Sequence, residues 1–528
     1  MALVANWLSG PMLQQERIVD ALEALVAPAD RIVIEGDNQK QADFLSRSLV
    51  KVDPKRIHDL HLIISSIGRP EHLGLFEAGI AKKIDFAFAE QSLRVAQLLN
   101  DGVLEIGAIH TYVELYARLF VDLTPNVVLV CAEEADGEGN LYTGPNTEDT
   151  PVIVESAAFH DGIVIVQVNR IVDRVQRVDI PSSWVDVVVE ADRPFHVDPL
   201  FTRDPRKITD VQILIGMMII RGVYERHQVR ALNHGIGFIA AAIELLLPTY
   251  GESLGLRTKI CEHWALNPHP TLIPAIESGW VKSIHSFGSE LGMDDYIRAR
   301  SDIFFNGRDG SLRSNRVICQ LAGQYAVDAF VGSTLQMDGD ANSSTVTSGR
   351  ITGHGGAPNM GHDPHGRRHA SPAWLDLKAN PSPLARGRKL VVQAVETFSK
   401  GDTPALVETL DAVQVGKKAG MPIAPVMIYG DDVSHVVTEE GIAYLYKTEG
   451  LEERRRALAA VAGVSPIGRR AKSEETAELR RRGIVAYPED IGVERLRAHR
   501  SLLAARSMED LVAWSGGLYN PPPKFRSW

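Results

Sequence analysis

The 528-residue sequence contains only three cysteines, Cys131, Cys261 and Cys319, and they are widely spaced. An odd number of cysteines without C-x-x-C spacing forms neither a disulfide framework nor a zinc knuckle. The N-terminus has no basic region followed by a small-residue cleavage site, which argues against secretion. These absences predict a protein of the reducing cytoplasm.

Long apolar runs are also absent. A membrane-spanning helix needs roughly 18 or more apolar residues in succession, whereas Ile213–Ile220 is too short and Ile236–Leu247 is interrupted by Gly and Glu. Excess positive charge is missing too, because the net charge is −11. Nucleic-acid binding relies on excess Lys and Arg. The sequence therefore predicts neither a membrane nor a nucleic-acid partner.

Short β-rich runs alternate with helical patterns in the first part of the chain. The runs are almost continuously apolar and lie at Arg31–Glu35, Leu60–Ser65, Ile84–Phe88, Asn126–Cys131 and Gly162–Val168. Such strands, separated by helices, are typical of a mostly parallel sheet covered on both faces. The alternation stops in the polar, Pro-bearing segment 191–207 and then resumes. We therefore predict two tandem α/β domains, residues 1–205 and residues 206–528.

The C-terminal region differs from the rest of the chain in charge. From Leu451 to Trp528, fifteen Lys and Arg residues stand against ten Asp and Glu residues, a local balance of +5. We expect the second domain to end in a basic helical tail from about residue 474. Such a tail is either a solvated surface of mixed charge or a face that receives an acidic partner or a phosphate-bearing arm.

A glycine turn follows an apolar strand at Asn233-His234-Gly235-Ile236-Gly237 and precedes a helical run. Gly235 and Gly237 would let a ligand approach the backbone, and the helix N-terminal amides would face an oxyanion or a phosphate. As a dinucleotide-binding motif the segment is incomplete, because Ala240 replaces the third glycine. A structural turn and an anion cradle are equally compatible with these residues.

The most unusual segment is Ser348–His369, which contains six glycines, four histidines and three arginines. Gly353, Gly355 and Gly356 predict a loop whose backbone comes close to another group. The loop also offers side chains suited to substrate binding, in particular to carboxylate or phosphate: Arg350, His354, Asn359, Arg367 and Arg368.

A metal site is the alternative interpretation of this segment. Its ligands would come from His354, His362, Asp363, His365 and His369. His365 and His369 have H-x-x-x-H spacing, but Pro364 and Gly366 disfavour the helix that this spacing requires. We therefore predict an ordered active-site loop without a metal.

The run Leu256–Trp264 predicts a strand that ends at Cys261-Glu262-His263. The carboxyl ends of parallel strands line the crevice of α/β folds, where a Glu262 carboxylate could attack a thioester. Arg257 and Lys259 alternate with apolar neighbours and would face either a dicarboxylate or solvent. An ordinary surface glutamate at a strand end is the alternative.

Several segments resemble class I CoA-transferases and acyl-CoA hydrolases, in the same order along the chain. They are VCAEEADGEGNLYTG (130–144), NHGIGFI (233–239), SGRITGHGGAPN (348–359) and VVTEEGIAYL (436–445). The run GRITGHGGAPNMGHDPHGRRHASPAW is more specific. It resembles the alpha-subunit family of malonate decarboxylase, which is related to the citrate lyase alpha subunit.

The resemblance implies an acyl-carrier transferase that converts acetyl-S-carrier and malonate into malonyl-S-carrier and acetate. The thiol arm of the carrier would derive from dephospho-CoA, and the chain itself would bind no cofactor. Its partners would be the acyl carrier protein and the subunits that decarboxylate the malonyl carrier. The alternatives are a transferase or hydrolase of free CoA thioesters and a non-catalytic scaffold.

The resemblance leaves the nucleophile open. CoA-transferases carry a catalytic glutamate in an S-E-N-G motif, with which Cys261-Glu262-His263 can be aligned, whereas a gap-free alignment to the hydrolase-like branch puts Lys259 there. The first alignment, which we favour, implies a glutamyl anhydride. The second implies direct attack by malonate. In both, the amides at Gly235 and Gly237 stabilise the oxyanion. The cations eligible for the second malonate carboxylate are Arg257, Lys259, Arg350 and Arg367.

Overall fold

The structure is a computed structural model that describes residues 1–37, 39–308, 311–312, 316–362, 389–399 and 402–526. Two large sheets organise the chain, one built from strands before residue 191 and the other from strands after residue 230. Within the described ranges, no helix is long and apolar enough to cross a bilayer. Several residues considered for the metal site or for anion binding lie outside the described residues: Asp363, His365, Arg367, Arg368 and His369.

The first sheet has the order β1-β2-β10-β9-β7-β3-β4-β5-β6, with β8 beside β7. Its strands are β1 Leu8–Ser9, β2 Met12–Leu13, β3 Arg31–Ile34, β4 Leu60–Ile67, β5 Ala81–Ala89, β6 Glu105–Ile109, β7 Val127–Asp136, β8 Leu141–Tyr142, β9 Ile163–Val172 and β10 Val187–Glu190. Neighbours from β2 to β6 are parallel. The covering helices are α1 Ile18–Leu25, α2 Asp43–Leu49, α3 Pro70–Glu77, α4 Ser92–Asn100, α5 Tyr112–Leu119 and α6 Thr150–Ala158.

The second sheet has the order β13-β12-β11-β14-β19-β22-β23-β24. The strands of this half are β11 Ala231–His234, β12 His263–Leu266, β13 Ser283–Ser286, β14 Ala329–Gly332, β15 Gln336–Met337, β16 Ser343–Ser344, β17 Val346–Thr347, β18 Arg350–Ile351, β19 Leu390–Ala394, β20 Phe398–Ser399, β21 Thr403–Pro404, β22 His435–Val437, β23 Ile442–Tyr444 and β24 Val485–Ala486. Pairing is parallel from β13 to β22, and β23 and β24 are added antiparallel. The pairs β15–β16, β17–β18 and β20–β21 are separate hairpins.

Helices of the second half begin with α7 Asp210–Ile219 and α8 Phe238–Leu246. The others in the described ranges are α9 Ile273–Glu277, α10 Asp294–Ala299, α11 Arg316–Ala326, α12 Ala357–Met360, α13 Asp411–Lys418, α14 Leu451–Ala460, α15 Ser473–Arg481 and α16 Met508–Trp514. The predicted tail is helical in large part, but β24 returns it to the sheet through pairing with β23.

The predicted fold class is confirmed: both sheets are mostly parallel and helices cover them. The five apolar runs of the first part became β3, β4, β5, β7 and β9, which are buried because helices lie on both faces. The boundary proposed near residue 205 falls between the two sheets and stays a prediction.

The strand predicted over Leu256–Trp264 is wrong in most of its length, because β12 begins only at His263. Thr258 and Cys261 have positive φ angles of 66° and 58°. A non-glycine residue in this left-handed conformation interrupts an extended strand. Glu262 therefore precedes the strand instead of ending it.

Candidate active site

Each sheet has a point at which the strand order reverses, between β3 and β7 in the first and between β11 and β14 in the second. In parallel sheets, ligands bind outside the carboxyl ends of the strands at such points. A cavity of about 720 Å³ lies at the carboxyl end of β11 and β14, and the end of β5 forms its opposite wall. The cavity therefore lies between the two halves of the chain.

The glycine turn after β11 forms one wall of this cavity. Gly235 N–H donates to the carbonyl of Val331 at 2.8 Å, which holds the turn against β14. Gly237 has a φ of +155° and leads directly into α8. The first amides of a helix have no partner in a preceding turn. The N-terminal amides of α8 thus face the cavity and can stabilise an oxyanion.

The loop after β18 forms the opposite wall and joins the two halves of the chain. The amides of His354 and Gly355 donate to the carbonyl of Ala87, at 2.7 and 2.8 Å. Gly353 has a φ of +80°, and a Cβ there would lie 2.5 Å from the Ala87 oxygen. At Gly356 a Cβ would meet the Gln320 amide at 2.6 Å. The close approach predicted from these glycines is thus an approach to protein backbone and side chain.

A buried carboxylate behind the glycine turn connects the loops that follow β11 and β12. Glu244 on α8 accepts hydrogen bonds from His234 Nδ1 at 2.9 Å and from His269 Nδ1 at 2.8 Å, and also from the Thr271 hydroxyl. Burial raises the pKa of Glu244, but His269 and His234 outweigh it and lower the pKa to about 2. Glu244 therefore remains ionised. The Tyr224 hydroxyl lies 2.7 Å from His234 Nε2 and extends this hydrogen-bond network.

Asn233 precedes the turn and lines the cavity, with its side-chain amide bonded to the carbonyl of Ala265. Arg350 lines it from the exposed rim, where its Nε donates to the Ser92 hydroxyl at 3.3 Å. Burial lowers the pKa of His354 to about 4, so this cavity-lining imidazole is neutral. Asn359 lines a neighbouring cavity that also touches His354.

The structure does not bring Glu262 into the cavity. The Glu262 amide donates to the carbonyl of Arg230, which precedes β11, so the residue lies at the amino edge of the sheet. A strand rises about 3.3 Å per residue, so the five steps from Glu262 to Asn267 span roughly 16 Å. The Glu262 carboxylate is instead paired with Arg230 and Lys282. Asn267, and not a glutamate, stands where β12 reaches the cavity.

The two cations predicted beside Glu262 share its location. Arg257 is half-exposed and pairs with Glu252 at 3.3 Å. Lys259 is exposed in the same turn. Both were expected on a strand that approaches the crevice, but they lie in the turn that precedes β12. Neither residue lines the cavity.

Three carboxylates lie where the strand order of the first sheet reverses, and they are close enough to one another to bind a metal ion. They are Asp37, Glu148 and Asp149. Arg316 at the start of α11 fills this position. Its guanidinium lies 3.0 Å from Glu148, 3.0 Å from Asp149 and 3.6 Å from Asp37. Burial raises the pKa of Asp37 to about 7 and that of Glu148 well above its usual range. The cluster is therefore an ion-pair site that links the two halves.

Sequence reasoning missed Arg203 and Glu90, which both line the cavity. Arg203 lies in the segment that was interpreted only as a domain boundary. Glu90 follows β5, and burial raises its pKa to about 7. One signal could have found both residues. Ligand sites of α/β proteins lie at the carboxyl ends of strands, where Glu90 stands, and at junctions between domains, where Arg203 was predicted to lie.

These features define a class, that of proteins with the fold of CoA-transferases and the citrate lyase alpha subunit. The structure of the citrate lyase alpha subunit from Streptococcus mutans superposes with a TM-score of 0.59 at 15% identity, covering 87% of both chains. This likeness concerns the fold alone. The family model described as "Malonate decarboxylase, alpha subunit, transporter" matches residues 1–528. The chain belongs to the malonate decarboxylase alpha-subunit family.

Two relatives are much closer in sequence. A protein of Malonomonas rubra named acetyl-S-ACP:malonate ACP transferase is 58% identical over 518 residues, 97% of this chain and 94% of the relative. The structure of a Pseudomonas malonate decarboxylase hetero-tetramer in complex with malonate contains a chain that is 67% identical. Its TM-score is 0.96, with coverage of 100% of this chain and 97% of the other.

Proposed function

We propose that this chain exchanges acetate for malonate on the thiol of an acyl carrier protein, within a malonate decarboxylase complex. Acetyl-S-carrier and malonate give malonyl-S-carrier and acetate. The observation that supports this most is the cavity at the strand-order reversal, where the N-terminal amides of α8 meet the loop Gly353–Gly356 in a chain 58% identical to a named malonate transferase.

The amides beside Gly237 would stabilise the charge that develops during transfer. A malonate carboxylate oxygen attacks the thioester carbonyl and forms a tetrahedral oxyanion. Collapse of this intermediate expels the carrier thiolate and leaves an acetyl-malonyl anhydride. The thiolate then attacks the malonyl carbonyl, and acetate departs. An oxyanion-binding donor typically contributes roughly 3–4 kcal/mol to such a step.

The position of Glu262 favours this direct attack over the glutamyl anhydride that we expected from the sequence. Glu262→Gln tests it, because loss of a nucleophilic carboxylate abolishes transfer, whereas loss of an ion pair at the far edge does not. We expect kcat for malonate transfer to stay close to the wild-type value. Arg230→Gln removes one partner of the same ion pair and is the matched control. A collapse of kcat in Glu262→Gln alone would restore the glutamyl anhydride.

A long thiol arm has room in the structure. A second cavity of about 620 Å³ lies beside the first, and His354 and Met427 line both. Its wall includes the apolar segment 421–428 and exposed Ile423. We assign this path to the dephospho-CoA-derived arm of the carrier. The three cysteines are buried thiols that form no disulfide, which supports a reducing cytoplasm.

The experiment is transfer of labelled malonate to purified acetyl-S-carrier, with acetyl-CoA as the competing donor. We expect malonyl-S-carrier and acetate to appear in equal amounts, and acetyl-CoA to be the poorer donor. Rapid turnover of acetyl-CoA with many acids and no preference for malonate would contradict the proposal. It would indicate a transferase of free CoA thioesters.

A further inference from the structure

If the chain transfers malonate, as proposed above, it must bind a carboxylate that takes no part in bond formation. Burial of an unpaired carboxylate is costly, so this spectator group needs a cation. One methylene separates the two carboxylates of malonate. The cation must therefore lie beside the turn at which the thioester carbonyl is attacked.

Three arginines among the described residues line the cavity: Arg203, Arg316 and Arg350. Arg316 is already neutralised by the buried carboxylates of Glu148, Asp149 and Asp37. Recruiting it would leave those carboxylates without their cation, which is strongly unfavourable. Arg316 is thus committed to the contact between the two halves.

Arg350 lies on the rim of the cavity. It is exposed on the β17–β18 hairpin and donates to the hydroxyl of Ser92 in the first half. An exposed guanidinium is hydrated and its field is screened by salt, so it discriminates weakly between a monoanion and a dianion. Its position suits the entrance to the cavity better than the reacting centre.

Arg203 has the properties that the other two lack. Its Nη1 donates to the carbonyls of Leu200 and Thr202, at 2.7 and 2.9 Å. Within the described ranges it pairs with no carboxylate, and its Nε and Nη2 donate to no acceptor. Burial lowers the pKa of Arg203, because Glu290 and Glu244 compensate its charge only in part.

The location of Arg203 is equally specific. Its guanidinium carbon lies 5.9 Å from the ring centroid of Phe238. Phe238 is the first residue of α8 and directly follows Gly237. The cation and the helix N-terminus therefore share one wall of the cavity.

We propose that Arg203 binds the spectator carboxylate of malonate while the other carboxylate attacks the thioester beside the glycine turn. The two bonds from Nη1 to backbone carbonyls fix the plane of the guanidinium. Nε and Nη2 are then left for a bidentate contact, which Arg forms with carboxylates and Lys does not. Arg203 would thus select a dicarboxylate acceptor over acetate.

Two reactions of the same enzyme test the assignment: transfer of malonate to acetyl-S-carrier and exchange of labelled acetate into acetyl-S-carrier. Acetate has no second carboxylate, so Arg203→Gln should lower kcat/KM far more for malonate than for acetate. A charge-assisted hydrogen bond contributes about 1.5–3 kcal/mol, so the malonate-to-acetate ratio should fall roughly 10- to 100-fold. Most of this loss should appear in KM for malonate.

Arg203→Lys keeps the positive charge but loses the bidentate contact. It should lower the malonate-to-acetate ratio of kcat/KM by a smaller factor than Arg203→Gln does. Arg257→Gln removes an arginine at the opposite edge of the sheet and is the matched control, with a wild-type ratio expected. If Arg203→Gln loses acetate exchange as well and does not fold, the ratio in Arg203→Lys decides the question.

A wild-type ratio in Arg203→Gln or, if that variant fails to fold, in Arg203→Lys would overturn the assignment. A fall of the ratio in Arg350→Gln alone would also overturn it and would move the contact to the rim. Failure of the wild-type protein to transfer malonate is a separate result, because it would refute the proposed function before any variant is compared.

Discussion

The buried Glu244 carboxylate provides the sharpest test of how the glycine turn is held. It accepts hydrogen bonds from His234, which precedes the turn, and from His269 and Thr271, which follow β12. Glu244→Gln keeps the shape of the side chain, removes the charge and replaces one of the two accepting oxygens by an NH2 donor. We expect a lower free energy of unfolding, while both loops keep their folded conformation.

The size of the effect follows from the pKa of Glu244, which lies at about 2 against an ordinary value of 4.5. At 1.36 kcal/mol per pKa unit, the ionised carboxylate contributes about 3 kcal/mol to the free energy of unfolding at neutral pH. The folded protein binds this proton more weakly than the unfolded chain. The contribution is therefore complete above pH 4.5 and disappears as the pH falls through about 2.

Urea unfolding followed by tryptophan fluorescence measures the effect. The indole of Trp264 lies 4.8 Å from the His234 ring, so the probe includes this site. We expect Glu244→Gln to lose about 3 kcal/mol at pH 7, and the difference from wild type to shrink by about 1 kcal/mol at pH 4. Glu252→Gln is the control, because Glu252 is exposed and pairs with the exposed Arg257. An equal, small loss in both variants would refute the reasoning.

Two further substitutions test the contacts between the halves. Gly353→Ala places a Cβ 2.5 Å from the Ala87 oxygen at a φ of +80°, whereas Gly349→Ala meets no atom within 4 Å. We expect only the former to impair malonate transfer and to cost about 1–3 kcal/mol; equal transfer rates would contradict this. Arg316→Gln should cost about 3–5 kcal/mol at pH 8 and less at pH 6, which lies below the pKa of about 7 of Asp37, and thermal unfolding at both pH values checks it. An equal loss at both would disprove the role of Asp37.

The fold was predictable because its signal is local. The apolar runs at Leu60–Ser65 and Asn126–Cys131 are short and almost continuous, which strands covered on both faces require. The glycine turn Gly235–Gly237 was also placed correctly at a strand end, since the preceding strand and the following helix both had clear patterns. These features depend on neighbours within a few residues.

The position of Glu262 was not predictable from the same kind of pattern. In Leu256–Cys261 the charged residues Arg257 and Lys259 stand two positions apart, as on one face of a strand, yet Thr258 and Cys261 adopt positive φ. Tertiary contacts decide this: the amides of Cys261, Glu262 and His263 donate to the carbonyls of Val229 and Arg230 at the amino edge of β11. A shift of the strand start by a few residues moves a carboxylate from one edge of a sheet to the other.

Arg203 illustrates a more general limit. Segment 191–207 has no periodicity, so sequence reasoning treats it as a linker and assigns its charges to solvent. In the structure, however, Leu200, Phe201 and Arg203 of this segment line the cavity between the two halves of the chain. The backbone carbonyls of Leu200 and Thr202 hold the guanidinium in place. Arg203 and Arg206 both have Asp204 as a near neighbour in the sequence, so the sequence does not separate them. In the structure Arg206 pairs with Asp204, whereas Arg203 lines the cavity, and this difference makes Arg203 the candidate ligand.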